Sequence, residues 1–189
     1  GAPLLEERNS TSMSTKISEY EVAGLKDSII AISQSGKGAR DNALLDVGKR
    51  GKVKVNPSEN FIEISVYKEE SSYPVHWQLI EGESRQGLSI GSGRYVVEGQ
   101  SSPAAVAVGY NKTEKFVVYR IEFRNVKASD RSGPKIRKID LQTKDVKEEG
   151  KTVEISYQNK GIDKGKMNLS SGRSVDLERK VIELDLNQR

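Results

Sequence analysis

Apolar residues near the start of the chain recur with the period of a helix. Ile17, Val22, Leu25, Ile29 and Ile32 fall within one stripe at about 100° per residue, with Tyr20 on its margin. Ser14 or Thr15 can cap the start of this helix, and Ser18 with Glu21 offers a second capping-box register. Gly24 weakens the interior by roughly 1 kcal/mol relative to alanine.

Beyond Asp41 the period shortens to two, the mark of strands with one buried face. Residues 44–47, 52–55 and 61–67 read as strands, separated by turns at Gly48-Lys49-Arg50-Gly51 and Asn56-Pro57-Ser58-Glu59-Asn60. Three strands joined by short turns predict an antiparallel meander. Further strands are predicted at 74–80, 87–90, 93–97 and 104–110, and the strongest at 115–123. In the last of these, Phe116, Val118, Arg120 and Glu122 alternate with Val117, Tyr119, Ile121 and Phe123. Residues 127–135 are polar and end in Gly133-Pro134, which marks a sub-boundary. After it come strands at 136–141, 153–157, 166–169 and 180–186, with 161–165 read as a turn. A C-terminal unit of that size is marginal alone without disulfides or metal, so it is expected to pack on the earlier sheet. The expected fold is mainly β: an antiparallel β-sandwich with one N-terminal amphipathic helix. Residues 1–15 form a flexible linker in this reading, and residues 16–189 a single β-rich domain.

Composition sharpens this picture. Of the 189 residues, 34% are hydrophobic and 31% charged, which predicts a modest core under a polar surface. The 31 Lys and Arg exceed the 27 Asp and Glu by only four, and the signs alternate along the chain, as in Tyr67-Lys68-Glu69-Glu70. Nucleic acid, which requires clustered cations, is therefore disfavoured as a partner. Cysteine is absent, so there is neither a disulfide framework nor a thiolate metal site.

Candidate chemistry is sparse. Gly36-Lys37-Gly38-Ala39-Arg40 follows the predicted helix, whereas a phosphate loop precedes one. It is read as a helix ending, with Gly36 as the left-handed residue and Lys37 and Arg40 near the terminal carbonyls. The single histidine, His76, has no Gly-x-Ser-x-Gly partner motif and is read as a strand residue beside Trp77. No catalytic, cofactor-binding or metal-binding residues are predicted. Trp77 is the ligand-face aromatic to watch, with Tyr67, Tyr73, Tyr95, Tyr110, Tyr119 and Tyr157 as further members of a carbohydrate face or, more simply, as strand residues. Three Asn-x-Ser/Thr triplets mark Asn9, Asn111 and Asn168 as candidate glycan acceptors, whereas Asn56 is excluded by Pro57.

From the helix to residue 67 the order of features resembles archaeal surface proteins related to type IV pilins. The resemblance lies in Leu25-x-x-x-Ile29-Ile30-x-Ile32, then Gly36-Lys37-Gly38-x-Arg40, Leu44-Leu45-x-Val47, Gly51-x-Val53-x-Val55 and Phe61-Ile62-x-Ile64. It covers about the first third of the chain. It implies a β-rich ectodomain outside the cell, held by a hydrophobic N-terminal helix that is not in this sequence, and it implies no catalytic residues. The expected function is that of a non-enzymatic, extracytoplasmic cell-envelope protein in surface assembly or adhesion, membrane-anchored in its full-length form. Its partners would be envelope or pilus proteins and, in a second reading, glycans. That alternative is a carbohydrate-binding module or glycan-active protein with an aromatic face.

Overall fold

Ser18 opens the helix α1 (Glu19–Gln34): its side chain accepts a hydrogen bond from the Glu21 N–H at 3.4 Å. Glu19 and Glu21 in the first turn also suit the positive end of the helix dipole. The structure, a computed structural model, describes residues 17–82, 102–168 and 172–189. The linker 1–15 with Asn9, the strands predicted at 87–90 and 93–97, and Tyr95 lie outside the described residues.

Among the described residues eleven strands follow in chain order: β1 (Arg40–Asp46), β2 (Lys52–Asn56), β3 (Phe61–Tyr67), β4 (Gln78–Glu81), β5 (Ala104–Asn111), β6 (Phe116–Phe123), β7 (Val126–Asp130), β8 (Gly133–Thr143), β9 (Lys147–Glu149), β10 (Thr152–Asn168) and β11 (Ser174–Gln188). They form two sheets, which we call A (β1-β10-β11-β8-β7) and B (β4-β5-β6-β3-β2-β9). The expected β-sandwich with one helix is what the chain builds. Val22, Leu25 and Ile29 of α1 join the same buried cluster as Val153, Ile155 and Ile182 of sheet A and Ile62, Ile64, Val106 and Ile121 of sheet B. Each such aliphatic side chain contributes roughly 1.5–3 kcal/mol by leaving water.

Asn60 locks the two layers together. It sits at the turn between β2 and β3 with φ of 64°, a left-handed conformation that Asn tolerates better than most residues. Its Nδ2 donates to the Ile139 carbonyl at 2.6 Å and to the Phe123 carbonyl at 3.3 Å, and its Oδ1 accepts from the Leu141 N–H at 2.9 Å. A residue of sheet B thus satisfies backbone groups of β8 in sheet A.

Three expectations need correction. The helix does not end on a left-handed Gly36: its C-cap is Ser35 in an extended conformation, its last turn has no basic residue, and the positive φ falls at Gly38. The terminal carbonyls are satisfied from across the fold, because Asn159 Nδ2 donates to Ile32 at 3.0 Å and Ser35 at 2.8 Å. Residues 161–165 are not a turn but the continuation of β10 past a bulge at Asn159/Gly161, where Gly161 takes φ of 100°. The polar residues 127–135 lie within the β7–β8 hairpin, where Val126–Asp130 pairs with Gly133–Arg137. Finally, the sandwich is not wholly antiparallel, since β8 and β11 pair in parallel.

Candidate functional site

The sequence-marked aromatic, Trp77, lies two residues beyond the exposed Val75, in the segment leading into β4. It is half-buried, and its indole faces the Arg120 guanidinium at 5.7 Å. Arg120 projects from β6 and stacks more closely on Phe61, at 3.7 Å from the ring centroid. Register explains the cluster: Phe61 pairs with Glu122 and Glu63 with Arg120 on neighbouring strands, so all four share the outer face of sheet B. Arg120 lies 3.9 Å from Glu63 and 3.8 Å from Glu122, and Arg124 lies 3.3 Å from Glu122. Arg120, Glu122 and Arg124 are all buried. Burial raises the Glu63 carboxyl above its ordinary 4.5, opposed by the nearby charges of Arg120, Lys54 and Lys52. Buried and paired, these groups form a polar clasp on the sheet rather than an open stacking platform.

The other marked residues are dispersed. Tyr110, Tyr119 and Tyr157 belong to the core, and burial raises the phenols of Tyr119 and Tyr157. His76 is exposed and precedes β4 instead of lying within a strand. Asn111 closes β5, with its Oδ1 accepting from the Thr113 and Glu114 N–H groups at 3.1 and 3.0 Å. Asn168 is exposed at the far end of β10. Among the described residues, no cluster of three or more His, Cys, Asp or Glu side chains could hold a metal ion, and no helix is long and apolar enough to cross a membrane.

What the sequence reading missed is the far half of sheet A. Beyond the bulge, β10 and β11 run on together to the pair Asn168–Ser174, and β8 and β7 accompany part of that length. On the face that continues the core, Ile162, Lys180 and Ile139 form one rung. Lys164, Glu178 and Arg137 form the next, and Lys166, Asp176 and Lys135 the third. The acids on β11 are thus flanked by cations on both sides. Lys166 bonds Asp176 at 3.0 Å, while Arg137 and Lys135 share Glu178 at 3.3 and 3.6 Å. The opposite face carries the pair Asp163–Arg179 at 2.9 Å, beside the apolar rung of Leu177 and Ile136. The sheet curls strongly enough for Asn125, at the entry to β7, to donate to Met167 Sδ on β10 at 3.6 Å, three strands away in the sheet order.

Topology also gathers charge here. Residues 126–140 and 160–180 hold eleven Lys and Arg against five Asp and Glu, an excess of six, whereas the whole chain has an excess of only four. The body is therefore slightly acidic and the extension basic. A mirror in the sequence carries the signal for the hairpin: Asp163, Lys164 and Lys166 meet Arg179, Glu178 and Asp176 in antiparallel register, opposite charge against opposite charge.

No family model, curated protein or solved structure matches the chain.

Proposed function

We propose that the chain is the ectodomain of an extracytoplasmic cell-envelope protein that acts without catalysis in surface assembly or adhesion, of the kind met in archaeal type IV pilin-like surface proteins. A membrane anchor ahead of the ectodomain belongs to this reading, as do envelope or pilus proteins as partners. The observation that carries it is the extension of sheet A. Past the bulge, the sixteen residues 161–168 of β10 and 174–181 of β11 maintain a hydrogen-bonded ladder in which most β10 side chains are exposed, which presents surface beyond what the fold needs. Among the described strands β7 lies at the edge of sheet A, and a sheet edge is the element through which β-proteins add partner strands.

A carbohydrate site built on stacking at Trp77 has less support, because that ring is half-buried against Arg120. The test is separation of source cells into membrane, surface-released and soluble fractions, followed by intact-mass measurement of the protein. The expected result is an envelope-associated species heavier than 20.9 kDa, with part of the excess removed by deglycosylation and part assigned to hydrophobic N-terminal residues. Recovery from the cytosol at 20.9 kDa would overturn the proposal.

A further inference from the structure

The core-continuing face of the extension has a charge pattern that selects among partners. Two cationic columns, Lys164 and Lys166 on β10 and Arg137 and Lys135 on β8, flank Glu178 and Asp176 on β11. Within a column the side chains stand roughly 6.7 Å apart, and the columns are about 9.5 Å apart, two strand spacings. At the base of this face, Ile30, Ser33, Val126, Ile139, Arg137 and Lys180 line a cavity of about 150 Å³. Of the helix carbonyls beside it, that of Ile30 accepts from Ser33 Oγ at 2.6 Å and that of Ser33 from Asn159 Nδ2 at 3.5 Å. An anionic group entering the cavity would meet Arg137 and Lys180.

We propose that this face binds an acidic polysaccharide, a chain of sugars bearing carboxylates at intervals. The sparse cations suit a polymer with charges spaced along it. A nucleic-acid duplex carries one charge per roughly 1.7 Å of axis, a density that Glu178 and Asp176 would oppose. Residues 126–140 and 160–180 contain no aromatic side chain, so the face offers no platform for stacking single-stranded bases. A lipid surface fits less well: Asn168, Arg173 and Ser174 at the described end of the hairpin are polar, and the exposed Ile162 lies near its base instead of at its tip. The inference rests on the envelope reading only in placing the chain where such polymers occur.

The probe is polygalacturonate, titrated against the full chain, with neutral dextran as the uncharged control. Lys164→Glu combined with Lys166→Glu is compared with Lys49→Glu combined with Lys112→Glu, which makes the same change in net charge on turns away from the extension. Saturable binding that weakens as salt is raised is expected, falling about tenfold or more in the first variant and less than about twofold in the second. Lys164→Gln with Lys166→Gln is read instead if the reversal lowers the urea midpoint, and is expected to weaken binding in the same direction. Absence of binding, equal loss in both reversals, or tighter binding of an oligonucleotide or of anionic phospholipid vesicles through the same lysines would overturn the proposal. Cell fractionation is independent of all these outcomes, so failure here leaves the envelope reading standing, and the reverse also holds.

Discussion

Strand β10 contains two regimes in one continuous hydrogen-bonded ladder. In its first half Val153, Ile155 and Tyr157 point into the core and are all but sealed from solvent, with the buried Leu186 and Leu184 of β11 opposite Ile155 and Tyr157, and Ile182 opposite Asn159. Past the bulge, Ile162 is 59% exposed and its successors on the same face are Lys164 and Lys166. Pairing is continuous across the change apart from the single register shift, so a backbone ladder alone does not require a core. The first half is specified by burial, and the second by cross-strand charge and by being tethered to a stable sheet. A segment freed from the demands of packing can be shaped by what it meets outside.

The largest effect that separates the two halves is a cavity. Ile155→Ala should lower stability by about 3 kcal/mol, while Ile162→Ala, the same truncation beyond the bulge, should change it by less than about 0.5 kcal/mol, both read from urea unfolding. Equal losses would erase the distinction. Next comes the polar lock of the body. Asn60→Ala should cost about 2–3 kcal/mol, because it strands the Leu141 N–H and two buried carbonyls and forces alanine to φ of 64°. Asn60→Gly should recover only the conformational part, so a full recovery would show that the interlayer bonds contribute little.

In the extension the effects shrink. Lys166→Ala removes an exposed ion pair with Asp176 and should cost less than about 1 kcal/mol, diminishing as salt is raised. The smallest effect belongs to the clasp on sheet B. The folded-state pKa of Glu63 is raised above its ordinary 4.5, so folding favours its protonated form. Its contribution to stability is fully present below that ordinary value and is lost as pH rises through the folded one. Comparing unfolding of the parent and Glu63→Gln across that window should show a shallow fall with pH that is missing from the variant. A difference that grows in the opposite direction would mean that the Arg120 charge outweighs desolvation.

Where burial governs, the fold was legible. The alternation in 61–67 and 115–123 located β3 and β6 almost to the residue, and of the capping registers that the sequence left open, the second, at Ser18, is the one that starts α1. Legibility failed where the cause lay elsewhere. Gly161 and Gly165 with Asp163 and Lys164 between them suggest a turn locally, yet the ladder with β11 carries the strand through. Asn159 looks like any polar strand residue, and its part in closing the helix depends on contacts more than a hundred residues away in sequence. The basic extension escaped notice because its signs are mixed along the chain. Only topology brings 126–140 beside 160–180. Trp77 was marked by residue type, and the structure half-buries it with Arg120, a neighbour that local pattern could not supply. The mirrored charges about the β10–β11 hairpin were present in the sequence, and reading them as cross-strand pairs would have extended both strands.

The division of sheet A into a packed body and a tethered surface is most directly tested by native-state amide hydrogen exchange at increasing urea. Amides of residues 153–159 and 182–186 should exchange only through global unfolding, with the full urea dependence of that transition. Those of 162–168 and 174–180 should exchange through smaller openings with a shallow dependence on urea. A single opening free energy shared by both halves of β10 would contradict the division and make the extension an integral part of the cooperative fold.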